Sequence, residues 1–286
     1  MIRTPIASIA TLDQLSTLEK SDRMPVLFVG HGSPMNAIGD NEYRRSWQEL
    51  GAQFGTKMPM PQLILCISAH WLTQGWWLTS MALPKTIHDF GGFPQELFDQ
   101  QYPAPGSPDA ARAISLLVKQ RASAPLGLDK NEWGLDHGAW SVLKPMFPDA
   151  KIPVMQLSMD YARAPDEHYA LAKQLKALRE RSVLIVASGN IVHNLSQMQR
   201  GASGSQAYDW ALEFDQTIGG YLQQGNLDAL QNFKRFGSLA TMAHPTHEHY
   251  LPLLYAAGAV DASEPMRFFN TSFQGGSISM RSLVWG

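Results

Sequence analysis

Histidines sit just past the ends of several short apolar runs. His31 follows Val26-Leu27-Phe28-Val29 across Gly30, and His70 follows Leu63-Ile64-Leu65-Cys66-Ile67 within Ser68-Ala69-His70-Trp71. His193 lies a few residues beyond Val183-Leu184-Ile185-Val186. His249 sits in Ala243-His244-Pro245-Thr246-His247-Glu248-His249-Tyr250, a loop leading into a helix. Imidazole is largely neutral near pH 7 and offers one lone pair, which makes it the commonest side-chain metal ligand. Three or four imidazoles brought to one place would suit Zn²⁺ or Fe²⁺. The bland alternative is a set of solvated or hydrogen-bonded loop histidines, because these spacings lack the local signature of a CxxC or HExxH motif.

Other residues carry the same choice. Asp136-His137-Gly138 is either a capped turn packed on the tryptophans of the Trp133–Trp140 stretch or a histidine held by a carboxylate for acid–base work. His88-Asp89 divides in the same way. Glu248 is a carboxylate ligand beside His249 or a helix N-terminal acid. Gly32 either makes a turn or lets the backbone approach an ion closely. His244 and His247 are expected as polar loop residues and His168 as a surface residue. Cys66, inside an apolar run, reads as a small buried side chain rather than a nucleophile. Walker, GxGxxG, GxSxG and HExxH sequences are absent, which removes most support for nucleotide-cradling and serine-nucleophile chemistry.

The elements that must place these groups are legible as alternating strands and helices. The four apolar runs, at 26–29, 63–67, 153–157 and 183–186, do not alternate with polar residues, as expected of parallel strands covered on both faces. Trp76–Met81 and Ile278–Trp285 are weaker strand candidates. Ser107-Pro108-Asp109 supplies a cap, a first-turn proline and an acid, and predicts a helix running from Ala110 to Arg121. A second helix is expected from Asp166 or Glu167 to Arg179, and others over Tyr208–Leu222 and Tyr250–Ala257. The pattern predicts a single α/β domain over residues 24–286, with a mostly parallel central sheet, helices on both faces and residues 1–23 as an N-terminal extension. Ligands of such sheets bind outside the carboxyl ends of the strands, so the histidines are expected on one rim. Residues 82–108, rich in Gly, Pro and aromatics, read as a long functional loop.

Composition narrows the partners. With 23 Lys+Arg against 25 Asp+Glu, the net charge of -2 argues against phosphate neutralisation on nucleic acid and against a polybasic membrane face. No apolar run approaches the ~20 residues of a membrane span, nor a signal peptide, and a single cysteine among 286 residues suits a cytoplasmic chain.

Seven blocks, taken together, resemble a known family: Gly30–Asn36, Ser68–Trp71, Thr86–Pro94, Tyr102–Pro108, Trp133–Trp140, Ser188–Leu195 and Pro245–Leu254. They are similar, in order and across residues 24–286, to the class III extradiol ring-cleavage dioxygenases, and within them to the 4,5-DOPA dioxygenase group. The resemblance implies an α/β fold, one mononuclear metal, Fe²⁺ or Zn²⁺, and opening of a catechol-type ring beside its two hydroxyls with O₂, giving a semialdehyde. By motif, His31, His70 and His249 match metal ligands. His193 matches either a fourth ligand or the active-site base, and His137 a second acid–base histidine. Many members use two histidines and one carboxylate; this group has a histidine in the carboxylate's place, and four imidazoles favour Zn²⁺ more than that triad does. The implied partners are a catechol-type substrate and O₂. The rival functions are a zinc-dependent hydrolase on the same scaffold and a non-enzymatic small-molecule binder.

Overall fold

Alternation along the strands divides the hydrophobic residues between two layers. In the computed structural model, which describes Leu18, residues 20–199 and residues 207–286, six strands form the central sheet. They are β1 (Val26–Gly30), β2 (Leu63–Ser68), β3 (Val154–Gln156), β4 (Val183–Gly189), β5 (Met266–Phe269) and β6 (Ser282–Trp285). Their order across the sheet is β5-β6-β1-β4-β2-β3. The pairs β1–β4, β4–β2 and β2–β3 are parallel, whereas β6 runs antiparallel to both β1 and β5. The sheet is therefore mostly parallel, as expected. The weak candidate over 278–285 resolves into the two-residue strand Ile278–Ser279, paired with Phe273–Gln274, and into β6.

Every residue of β1, β2 and β4 is buried. Successive side chains point to opposite faces. Val26, Phe28, Leu63, Leu65, Ile67, Val183, Ile185 and Ala187 pack into one core with helices α2 (Pro108–Leu117), α4 (Pro165–Leu175), α5 (Asp209–Gln223) and α6 (Leu251–Gly258). Leu27, Val29, Ile64, Leu184 and Val186 face the other way, onto α1 (Glu42–Gly51) and α3 (His137–Met146). Two apolar layers on one sheet make a single α/β domain with helices on both faces. Among the described residues, no helix is long and apolar enough to cross a membrane.

Helix boundaries follow local chemistry. Ser107 caps α2 by accepting from the Ala110 N–H, and Pro108 takes the first position. The helix stops at Leu117, short of the expected Arg121, because Val118 turns extended (φ -88, ψ 125) and the Ser115 hydroxyl bonds to the Leu126 carbonyl at 2.5 Å. α4 opens at Pro165, one residue before the expected range, where a proline's missing N–H costs nothing. It then tightens into a 3-10 segment, Lys176–Arg181, closed by Ser182 in the left-handed region (φ 57).

His168 is a correction. Instead of lying at the surface it is fully buried. It shares one face of α4 with Leu171, Ala172 and Leu175, at i, i+3, i+4 and i+7, and that face packs on α6. Its Nδ1 lies 2.8 Å from the Tyr255 hydroxyl, which accepts a 2.6 Å hydrogen bond from Trp76 Nε1. With the hydroxyl donating to Nδ1, the ring carries its proton on Nε2.

Of the expected N-terminal extension, residues 1–17 and 19 lie outside the described residues. Leu18 belongs to the core, and the Ser21 N–H donates to the Glu180 carbonyl at 3.1 Å. The long segment 82–108 is ordered by a parallel pairing of Lys85–Thr86 with Gly134–Leu135 and by a short helical turn, Gln95–Phe98.

Candidate active site

The parallel register sets the carboxyl ends of the central strands side by side, with Gly30 paired to Gly189 and Ser68 to Ser188. The His31 N–H continues the ladder onto the Gly189 carbonyl at 3.2 Å, and Ala69 N–H onto Ser188 at 3.0 Å. His31 and His70 thus leave adjacent strand positions separated only by β4. His249 reaches them from the far side because Asn190, just beyond β4, donates its N–H to the His249 carbonyl at 2.8 Å. A side chain at Gly189 would put its Cβ 2.3 Å from that carbonyl oxygen, so the loop lies directly on the strand end.

Three of the rings meet. The centroids of His31, His70 and His249 are 5.1, 5.2 and 5.0 Å apart in their three pairings, and one nitrogen from each falls in a group whose members all lie within 4.8 Å of one another. His193 lies flat against His249, centroids 3.5 Å apart and planes within 5°. His137 stands on the other side, 3.9 Å from the His70 centroid and 5.7 Å from that of His31. Phe90 closes over His137 edge-on at 5.5 Å.

Hydrogen bonds assign the tautomers. Ser188 donates its hydroxyl to the Gly138 carbonyl at 2.6 Å, so the 3.0 Å contact between its oxygen and His31 Nδ1 must be donated by the ring. Asp89 accepts from His137 Nδ1 at 2.9 Å through Oδ1 and faces His70 Nδ1 at 3.3 Å through Oδ2. Glu248 Oε1 lies 3.1 Å from His249 Nδ1. These partners assign the proton to Nδ1 in His31, His137 and His249, and the Asp89 carboxylate facing His70 Nδ1 favours the same tautomer there, which leaves the Nε2 atoms to offer lone pairs. Burial pushes His31, His70 and His249 well below the ordinary histidine value, and neighbouring imidazoles add to the effect, so these rings are neutral near pH 7. Burial, then His137, lowers His193 to about 4. For Asp89 burial alone would raise the carboxyl, but the hydrogen bond from His137, followed by the electrostatic attraction of the His137 and His70 rings, outweighs it and holds the group at about 2.

The donor set fits a metal ion. His31 Nε2 and His70 Nε2 are 3.2 Å apart, and with each ring's Nδ1 turned to Ser188 or Asp89 these are the two atoms left to face a shared ion. Two ligands on an ion with metal–nitrogen bonds of about 2.1 Å stand roughly 3.0–3.4 Å apart for bond angles of 90–109°. Each ring's remaining N–H goes to a hydroxyl or carboxylate, the arrangement that orients metal-binding imidazoles. Glu248 also groups with His193 and His249, so its geometry suits either a ligand or a carboxylate supporting His249. It accepts from the Thr246 hydroxyl at 3.0 Å as well.

Asp136 is not the carboxylate that holds His137. It caps α3 by accepting from the Ala139 N–H, and takes further hydrogen bonds from Ser68 at 2.7 Å, Gln156 at 2.7 Å and Trp133 Nε1 at 3.3 Å. Burial, then the Asp89 charge, raises its carboxyl above the ordinary value, and these donors oppose that shift. Asp89 takes the partnership with His137 instead. Gly138 is needed for closeness, since a Cβ there would meet Ser68 Oγ at 2.4 Å and His70 Cδ2 at 2.9 Å. Gly32, with φ +56, makes a left-handed turn packed on Gln274 and Met280.

The other histidines stay outside the cluster. His88 Nε2 donates to the Gln100 carbonyl at 2.9 Å, and Phe90, Phe98 and Trp140 surround its ring. His244 is buried rather than an open loop residue, because its Nε2 donates to the Ile191 carbonyl at 2.5 Å. His247 stacks on Tyr161, centroids 4.6 Å apart. Cys66 is buried, which pushes its thiol well above the ordinary value and leaves it protonated. Ser188 gave no sign in the sequence beyond its place at a strand end.

The chain as a whole is similar to known proteins. A family profile described as the catalytic LigB subunit of aromatic ring-opening dioxygenase matches residues 25–278. The chain is 47% identical over 269 residues to a protein of Escherichia coli (strain K12) named 4,5-DOPA dioxygenase extradiol, covering 93% of this chain and 96% of that one. A Beta vulgaris protein of the same name is 35% identical over 259 residues, covering 89% and 94%. A crystal structure of an uncharacterized protein from Escherichia coli K12 superposes with a TM-score of 0.77 at 41% identity, covering 92% of this chain and 100% of that one.

Proposed function

The chain belongs to the LigB family of aromatic ring-opening dioxygenases, and from that premise we propose that it opens a DOPA-like catechol ring with O₂ at one metal ion held by His31, His70 and His249. The observation that carries the reading is the pair of facing Nε2 atoms of His31 and His70, 3.2 Å apart, with His249 beside them. His193 is either a fourth ligand or a base, and its neutral ring, stacked on His249, suits both.

An Fe²⁺ ion would supply the electron path between a bound catecholate and O₂, which Zn²⁺ cannot because it does not change valence. The protein's own groups handle position and protons. His137 presents a Nε2 lone pair next to His70, with Asp89 holding its Nδ1 proton, so it accepts a proton from a catechol hydroxyl and returns it as the ring opens. Both oxygen atoms of O₂ enter the product, so no outside reductant is required. Phe90 over His137 limits water at that proton.

The test begins with protein prepared without oxygen and loaded with Fe²⁺. Catechols and then O₂ are added, and oxygen uptake is followed together with the yellow semialdehyde absorbance. One O₂ per ring is expected. His31→Ala and His70→Ala should lose stoichiometric metal, and His137→Ala should keep it while turning over ~10²–10⁴ times more slowly. Iron-loaded protein that consumes no O₂ with any catechol, or alanine variants that retain full metal, would overturn the proposal.

A further inference from the structure

Asp89 was one half of an undecided pair in the sequence, yet the fold places it between two rings with different duties. The pairing of Lys85–Thr86 with Gly134–Leu135 and the 2.7 Å hydrogen bond from Ile87 N–H to the Leu135 carbonyl lay its loop along the entry to α3. His137 is the first residue of that helix. Asp89 Oδ1 accepts from both the backbone N–H and Nδ1 of His137, each at 2.9 Å. Its other oxygen faces His70 Nδ1 at 3.3 Å. The two imidazoles are 3.9 Å apart between centroids.

We infer that Asp89 is a positioning residue that fixes two tautomers at once, keeping the Nε2 lone pair of His70 free for the metal and that of His137 free for the substrate proton. The inference rests on the functional reading above, in which His70 ligates and His137 exchanges the proton. Only a group with two acceptor oxygens does this. An ionised carboxylate accepts through both oxygens, whereas an amide of the same shape accepts through one and donates through the other. In Asp89→Asn, an amide oxygen turned toward His137 leaves the NH₂ facing the Nδ1–H of His70, donor against donor. That ring then moves its proton to Nε2, where a proton and a metal ion compete for one lone pair. The opposite amide orientation would set the NH₂ against two donors of His137, its backbone N–H and Nδ1–H, so the first orientation is the favoured one. No orientation satisfies both rings.

The same geometry explains why one loop can serve both groups. A change at residue 89 reaches metal affinity through His70 and turnover through His137, and the two effects separate by experiment. For the first, Co²⁺ binding to the metal-free protein is measured by competition with a chelator, which needs no turnover. For the second, kcat and KM are measured at saturating Fe²⁺.

Asp89→Asn is expected to weaken Co²⁺ binding ~10–100-fold, the usual cost of losing a partner behind a metal-binding imidazole, and to lower kcat ~10²-fold or more with KM changing far less. In a His137→Ala background, Asp89→Asn should still weaken Co²⁺ but change the residual kcat less than about threefold, since the proton-exchanging ring is gone. A merely structural role would lower kcat equally in both backgrounds. If the variants fail to fold, ¹⁵N-histidine NMR of the unsubstituted metal-free protein reads the tautomers directly, and His70 and His137 should both carry the proton on Nδ1. Either ring protonated at Nε2, unchanged Co²⁺ affinity in Asp89→Asn, or a full-sized kcat loss surviving in the His137→Ala background would each overturn the inference. An unsubstituted iron-loaded protein that opens no catechol refutes the functional reading, while the Co²⁺ and NMR results still decide the role of Asp89.

Discussion

Lowering the pH from 7 to 5 should destabilise this protein partly through a histidine that takes no part in the site. Burial lowers His168 to about 4, with the nearby Asp160 charge opposing that shift. The unfolded chain returns the ring to its ordinary value of about 6.5. Above that value both states are neutral there, and His168 leaves stability unaffected by pH. Below it the unfolded state binds a proton that the folded state does not, so stability falls with pH until the folded ring protonates near 4. Each unit of pH within this window costs about 1.4 kcal/mol, so the span from 6.5 to 5 amounts to about 2 kcal/mol. The assay is urea unfolding of the metal-free protein at pH 7 and at pH 5, compared with His168→Gln, whose amide keeps a polar group near Tyr255 but does not titrate. Every other histidine contributes equally to both proteins, so the difference between their pH losses isolates position 168. The variant should lose about 2 kcal/mol less than the parent on acidification. Equal losses, within about 0.5 kcal/mol, would show that the ring is solvated or already paired with a charge, and the reasoning from burial would fail.

Three further outcomes follow from the same geometry. Ser188→Ala removes the acceptor behind His31 Nδ1, and Co²⁺ titration should show ~10–100-fold weaker binding; it also leaves the Gly138 carbonyl without its donor, costing ~1–3 kcal/mol in a urea midpoint. Gly138→Ala pushes a methyl against Ser68 Oγ and His70, an overpacking expected to cost ~1–3 kcal/mol by calorimetry and to weaken Co²⁺ binding, because the His70 ring must give way. Tyr255→Phe leaves Trp76 Nε1 and His168 without the hydroxyl they share, which should lower stability by ~1–3 kcal/mol while kcat at saturating Fe²⁺ stays unchanged.

The sequence placed the strands well because a strand covered on both faces writes itself as an uninterrupted apolar run, and residues 63–67 and 183–186 do so. It placed His31, His70 and His193 at one rim because parallel strands carry their ends to one side, whereas His249, in a loop before a helix, was matched only by motif. The partners behind the rings were harder to read. Asp89 lies 48 residues from His137 in the chain, and only the pairing of two two-residue strands brings them together. Ser188 acts through a hydroxyl whose direction depends on a carbonyl contributed by another element. Asp136 sits next to His137 in sequence, and adjacency suggested a partnership, yet an N-cap points its side chain at its own helix's backbone. His168 was legible after all, since its spacing from Leu171, Ala172 and Leu175 puts it on the apolar face; its polar ring alone suggested solvent.

Strand β1, which delivers His31, lies between β4 and β6, and Gly30 hydrogen-bonds Ser282, a residue 252 positions downstream. During synthesis, a chain emerging from the ribosome would hold His31 and His70 long before it held either neighbour that fixes β1 in place. An ion held by His31, His70 and His249 would therefore find its site complete only when nearly the whole polypeptide had been made.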